Sequence, residues 1–554
     1  VGSEMCIRDR SINMKRNWLS YMCMAALLSG ALTSCNESSF LNLSDPNHFT
    51  ESNFWKDKAD AESALAAAYS PIKGAMYGYF GAFDGWLNLN GRGDDIFTIK
   101  GEEVPMWNIA NFLNSPSTGN DPYGALYSGI QRANIVLRYI DQVPASGITE
   151  EDRSMIKGEA LFLRGYQYFL LVNNYKEVPL RLIPSNEDET NKGPASEAAL
   201  WTQVEEDLGN AIKCNLPVER TTAKERVTKG AAIAMLGKVY ATQHRYPEAK
   251  QLLGTLLKAP YSYELIDNFG KNFTNEDEFN KESVYEIAYS PDGEYSWSNE
   301  SGICLGCYIP QFTGPVKSGG WAKLMPNSFI VGEFTRETRP NDADTKFDRR
   351  MYASLFFDAA NYGDKVPNEK WYGNNYSMDE LWEGNEGKMA GGAPSFNVNG
   401  TAGKFLIKKN TAYYVDDKAP DNMGNKEGRS SNLRVMRFAE VLLLYAEACA
   451  QTSDPDGANY ALKLIRKRAG LQEKTFAQEE LMTEIEHQCL LEFFGEGHRF
   501  YDLKRWYSVS EIQLILKANG KQGAENFQEK HLYYPIPTSE LNNNTAMVQT
   551  SLWK

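Results

Sequence analysis

The sequence predicts a mostly α protein, a helical scaffold of degenerate tetratricopeptide-type repeats packed against an irregular, loop-rich subdomain with short strands. Three observations predict it. Apolar residues recur at helical spacing through most of residues 53–258 and again after residue 432. One stretch matches the offsets of a two-helix repeat. Between the two helical regions the composition shifts toward Gly, Asn, Asp and aromatic residues.

The first 34 residues lie outside that fold. Met5-Cys6-Ile7-Arg8-Asp9-Arg10 looks like the translation of a sequencing-library adapter, so residues 1–13 read as artefact and leader, with the natural start at Met14. Residues 14–34 then form a lipoprotein export signal: the cations Lys15 and Arg16, an apolar run from Trp18 to Leu32, and Leu32-Thr33-Ser34 before Cys35. The run is too short to span a bilayer, and the small residues give a signal peptidase access to the bond before Cys35. The expected mature protein begins at a lipidated Cys35 and works at a membrane surface.

The chain has 554 residues and a formal net charge of −14, and loss of a leader with more cations than anions makes the remainder more acidic. Such a chain is a poor ligand for nucleic acid and for anionic lipid, so the anchor is the expected membrane attachment. Beyond Cys35 only Cys214, Cys304, Cys307, Cys449 and Cys489 remain, too few for a disulfide framework at this length. Cys304-Leu305-Gly306-Cys307 is a lone pair without a second pair or a nearby His; it reads as a loop disulfide or idle thiols, and no metal or cofactor is expected.

Residues 35–260 form the expected N-terminal helical domain. Ala61, Ala64, Leu65, Ala68, Tyr69 and Ile72 mark its first helix, followed by Gly124–Ile140, Glu151–Tyr175, Ala195–Lys213 and a helical stretch from Lys224 to Lys258. Pro179, Pro184, Pro194 and Pro217 punctuate them. Within Arg226–Pro260, Leu236-Gly237-x-x-Tyr240 with Ala249, Leu253 and Pro260 places Gly237 where two antiparallel helices cross and Tyr240 in the gap between them. Leu163-Arg164-Gly165-x-x-Tyr168 repeats the pattern faintly. Residues 261–430 are the expected irregular, ligand-binding insertion, with strands near Ser283–Ala288 and Lys404–Lys408. Residues 431–554 return to helix: Asn432–Gln451, with Arg434, Arg437, Glu440 and Glu447 as a narrow polar stripe, then Asn459–Arg468, and Ala477–Trp506 broken at Gly495 and Gly497. Tyr533-Tyr534-Pro535-Ile536-Pro537 reads as an extended segment.

Several of these segments together resemble the SusD/RagB family of outer-membrane nutrient-binding lipoproteins. They are the Cys35 lipobox with Phe54-Trp55 after it, Ala160 to Tyr168 followed by Tyr175-Lys176-Glu177-Val178-Pro179-Leu180, and Arg437-Phe438-Ala439-Glu440 running to Ala448. Ile465 to Leu471, Gly495-Glu496-Gly497-His498-Arg499-Phe500-Tyr501-Asp502 running to Trp506, and Pro535-Ile536-Pro537 complete the series. The resemblance implies a site where early helical loops face the irregular subdomain. It also implies a place on the outer membrane, facing the cell surface, and a SusC-like TonB-dependent transporter as partner for uptake of a bound glycan. Lys176-Glu177 stands where the family often has Gly-Asp, and Gln488-Cys489 lies in a helix that is frequently Arg-rich.

The chemistry expected of the residues is binding. The five His residues are scattered, and no Gly-x-Ser-x-Gly elbow, His-Glu-x-x-His helix or phosphate-cradling loop occurs. His498, Arg499, Asp502 and Arg505 have spacings suited to structural ion pairs. Sugar recognition needs flat apolar rings beside amide and carboxylate groups. Trp86 and Trp107 flank the acidic loop Gly91-Arg92-Gly93-Asp94-Asp95, Asn111 follows Trp107, and Trp297 and Trp321 lie in the insertion; these seven, Trp86, Asp94, Asp95, Trp107, Asn111, Trp297 and Trp321, are the expected ligand-binding set. For any single ring, packing in the core outweighs a platform role, and capping is the safer reading of Asp94 and Asp95. A peptide ligand within the same architecture, a helical glycoside hydrolase built on a carboxylate pair, and a purely protein-binding scaffold are the alternatives.

Overall fold

A computed structural model of the protein describes residues 54–74, 78–99, 104–118, 122–185, 187–290, 306–340, 342–383, 396–398, 401–415 and 430–554. The export signal, Cys35, Trp297 and Cys304 lie outside the described residues. Residues 57–554 form one compact unit; residues 54–56 fall outside it, and there the rings of Phe54 and Trp55 meet edge-on with centroids 5.3 Å apart.

The compact unit is mostly helical. Helix α1 (Lys58–Lys73) starts at Asp57, whose carboxylate accepts from the amides of Ala59 and Asp60, and it packs on α4 (Tyr123–Tyr139). Between them the chain makes only short elements: α2 (Leu87–Gly91), strand β1 (Ile96–Thr98) and α3 (Val104–Ala110). The long α5 (Glu150–Tyr175) is capped by Thr149 and lies between α4 and α6 (Glu197–Lys213). Gly165 permits its crossing with α6, since a Cβ there would stand 2.9 Å from Cβ of Asp207. Arg164 beside it makes a two-pronged bond to Asp207, at 2.8 and 2.6 Å, almost wholly out of water.

The repeat spacing is realised in α7 (Lys229–Thr242) and α8 (Tyr246–Leu253). A Cβ on Gly237 would approach Cδ2 of Leu253 to 2.5 Å, so only glycine allows the two helices this close. Tyr240 is less enclosed than the repeat pattern predicts: it is half-buried, with the Arg245 guanidinium 4.4 Å from its ring centroid.

In residues 261–430 the described strands are short antiparallel pairs. β2 (Ser283–Ile287) pairs with β8 (Leu433–Arg437), β3 (Leu324–Pro326) with β1, β4 (Leu355–Phe356) with β7 (Leu406–Ile407), and β5 (Phe396–Val398) with β6 (Thr401–Gly403). Short helices α9 (Ile309–Thr313) and α10 (Ser328–Thr335) are set among them, more helix than the composition suggests. Trp371, Tyr372 and Trp382 are core rings, clustered with Phe356, Leu381 and Leu406.

The predicted helix at Asn432–Gln451 is corrected at its start. Leu433–Arg437 is strand β8, and α11 begins at Phe438 (Phe438–Gln451). The β2 edge supplies a ladder, and its pairing turns Arg437 into a buried cluster rather than along a helix stripe. There Arg437 donates to Glu282 (2.6 Å), Glu492 (2.8 Å) and Glu496 (2.7 and 2.9 Å), while Arg350 and Arg468 also meet Glu492. Burial opposes the Glu492 charge, and the three guanidiniums outweigh it, holding its carboxyl well below the usual range. The cluster binds β8 to α13 (Leu481–Glu492), which packs with α12 (Pro455–Ala469) against α11. Gly495 and Gly497, both with positive φ, turn the chain into α14 (Arg499–Trp506), and Ser508 and Glu511 form the capping box of α15 (Val509–Ala518).

Candidate functional site

The β1–β3 ribbon is where the early loops and the insertion meet. Ile96 faces Pro326, Phe97 faces Met325 and Thr98 faces Leu324, and the Ile99 amide continues the ladder to the Lys323 carbonyl at 3.2 Å. Helix α3 packs against β1 and α2, and a Cβ on Gly91 would lie 3.0 Å from Cβ of Ala110. Trp107 is therefore carried on a helix seated beside β1, and Trp321 stands just before β3.

Both indoles are half-buried. Trp321 is fixed edge-on against Phe312, with centroids 4.7 Å apart and planes at 62°, and Lys323 Nζ is 5.7 Å from its ring centroid. Its amide donates to the Gln311 carbonyl at 2.8 Å, which ties it to α9. A partly exposed indole is a candidate apolar surface for a pyranose.

The loop under this ribbon is closed. Asp94 is 0 % exposed and its carboxylate accepts from Arg499 Nε (2.6 Å), Arg499 Nη2 (2.9 Å) and Asn519 Nδ2 (2.7 Å). Burial raises its pKa, but the Arg499 charge and these bonds leave it below the ordinary range. It neither meets solvent nor caps a helix; it clamps α14 and the end of α15 to the loop. Asp95, 3 % exposed, is pushed up to about 7 by burial and by the charge of Asp94, and its Oδ1 has no hydrogen-bond partner. A carboxyl protonated near neutrality suits a general acid, yet a buried one beneath Gly93 has no route to a glycosidic oxygen. Lys521 Nζ, buried, donates to the carbonyls of Gly91 and Ile96 and so holds the loop shape. Arg92 lies between the rings of Phe500 (4.2 Å) and Tyr534 (4.3 Å). The Arg92-Gly93-Asp94 triplet is thus wholly interior.

A SusD family profile matches residues 281–553, and a second, described as starch-binding associating with outer membrane, matches residues 97–241. The chain belongs to the SusD family. It is 23% identical over 599 aligned positions to the starch-binding protein SusD of Bacteroides thetaiotaomicron, covering 98% of this chain and all of that one. A SusD-like protein of Bacteroides ovatus is 24% identical, over 85% of this chain and 80% of its own. Among solved structures, a SusD superfamily protein from Bacteroides vulgatus superposes with a TM-score of 0.75 at 27% identity, over 90% of this chain and 100% of that chain. A laminarin-binding SusD-like protein gives 0.69 at 25%, with the same coverage.

Of the seven residues predicted from sequence, this SusD-family structure places Trp107 and Trp321 at half-buried positions beside the ribbon. Trp86 is 2 % exposed, a core ring at the end of a π-helical turn that only Gly85 permits, because a Cβ there would collide with the Tyr79 carbonyl. Asn111 is 3 % exposed; its amide group donates to the Trp107 carbonyl at 2.8 Å, and Gly523, at φ +75°, packs on its backbone. Trp86, Asp94, Asp95 and Asn111 therefore support the ribbon from inside. Sequence reasoning missed Lys323, Phe312 and Lys521, whose roles depend on partners brought together by tertiary pairing and leave no local spacing to read. The predicted ion-pair role of the 498–505 segment holds in part: Arg505 meets Asp502 at 2.9 Å, but Arg499 reaches Asp94 and Arg505 also reaches Glu447 at 2.7 Å.

Proposed function

We propose that the protein is a non-enzymatic surface lipoprotein of the outer membrane, anchored through Cys35, that binds an oligosaccharide and delivers it to a SusC-like TonB-dependent transporter. The observation carrying this reading is that two half-buried indoles, Trp107 on the helix packed beside β1 and Trp321 just before β3, stand next to the ribbon joining the early loops to the insertion. Relatives named for starch and laminarin binding support a glycan as ligand. Among the described residues no helix is long and apolar enough to cross a membrane, which suits attachment by lipid. Open aromatic platforms bind weakly, and a millimolar constant corresponds to about −4 kcal/mol. Tethering beside a transporter compensates, because the second encounter becomes intramolecular.

The test is affinity gel electrophoresis of the chain following Cys35 against plant, host and microbial polysaccharides. Retardation by a glycan, with no reducing ends released on long incubation, is the expected result. Steady release of product would overturn the binder in favour of a hydrolase, and indifference to every glycan would shift the ligand to peptide.

A further inference from the structure

A cavity of about 330 Å³ opens among α5, α6, α7, α11 and the 496–505 turn, at the lower end of the range for small-molecule sites. Neither Trp107 nor Trp321 lines it. Its walls are ring faces: Tyr79, Phe80 and Tyr166 are buried, while Trp201, Tyr501 and Tyr533 are half-exposed.

Its polar groups are unevenly satisfied. Glu440, 3 % exposed, accepts Lys238 Nζ at 2.6 Å on Oε1, with His498 Nδ1 at 3.7 Å, while Oε2 has no partner. Burial holds His498 below its ordinary pKa, so the imidazole is neutral at pH 7, and stacking on Phe493 at 4.4 Å fixes its plane. A buried carboxylate oxygen without a donor is costly, and a ligand hydroxyl would relieve it. Asp502 pairs with Arg505 at 2.9 Å and Glu197 with Lys176 at 4.0 Å, whereas Lys504 Nζ, pushed well below its ordinary pKa by burial, donates to the neutral Asn173 carbonyl at 2.6 Å, over the Tyr533 ring at 3.7 Å. What remains for a ligand is ring surface interspersed with single polar groups, acceptors and donors both, which suits the hydroxyls and C–H faces of a neutral polyol.

We propose that this cavity is a second ligand site, taking a small neutral saccharide of one or two sugar units, separate from the polymer on the ribbon. It rests on the glycan-binding reading above. The experiment is calorimetric titration of the mature chain with monosaccharides and disaccharides, including maltose and laminaribiose, alongside gel retardation by polysaccharide. Thr242 lines the cavity half-exposed, and its hydroxyl only returns to its own helix at the Lys238 carbonyl. Thr242→Trp fills the space, and Trp201→Ala removes a wall. Saturable millimolar binding that either variant weakens about tenfold or more, with polysaccharide retardation intact in both variants, is the expected result. No small-sugar binding beside normal polysaccharide retardation, or binding indifferent to both variants, overturns this proposal alone. Absence of both kinds of binding overturns it together with the glycan reading.

Discussion

Asp95 makes the interior of the acidic loop measurable. Its pKa of about 7 lies above an unfolded value near 3.9, so between those limits the folded state holds the extra proton. Stability therefore falls as pH rises through that window. Asp95→Asn should flatten this slope and be more stable than the parent at about pH 7.5, by up to about 4 kcal/mol, in urea titrations at a series of pH values. An unchanged slope would mean that Asp95 is ionised and solvated. Arg437 tests the opposite case, a buried cation with three carboxylate partners. Arg437→Leu should cost about 3–5 kcal/mol, because it strands Glu282, Glu492 and Glu496 without their shared partner. These roles were not legible from residue type. Asp94 and Asp95 resemble surface acceptors in sequence, and only the approach of Arg499 and Asn519 from the far end of the chain makes them interior.

At the scale of elements, what was legible followed local periodicity. The helix Glu150–Tyr175, read as Glu151–Tyr175, shows in its apolar spacing, and the Gly237 crossing in repeat offsets. Gly237→Val should lower stability by about 1–3 kcal/mol, since Leu253 is fully buried and cannot retreat freely, and thermal unfolding would detect it. The strand β8 was read as helix because Leu433–Arg437 runs without a break into the apolar run of α11, and its deciding partner, β2, lies about 150 residues earlier. The ribbon strands β1 and β3, three residues each, are too short for any period to register. So the helical scaffold was visible in the sequence, whereas the surface that organises the candidate site depends on pairings between distant segments.

At the scale of the whole molecule, the proposed function needs an anchor, a scaffold and a binding face. Cys35→Ala should move the protein from the membrane fraction to the soluble fraction of fractionated cells without altering its unfolding temperature. Retention in the membrane would mean that another segment attaches it. The binding face is the central claim, and Trp107 and Trp321 alone among the seven predicted residues combine ring chemistry with access in the described structure. The most direct measurement is the dissociation constant for the glycan that retards the mature chain, taken for the parent, Trp107→Ala and Trp321→Ala. Loss of about 1–3 kcal/mol in each, by analogy with removal of other aromatic stacking platforms, is expected with unfolding curves unchanged. Equal affinity in all three proteins would contradict the assignment of the ribbon face as the glycan site.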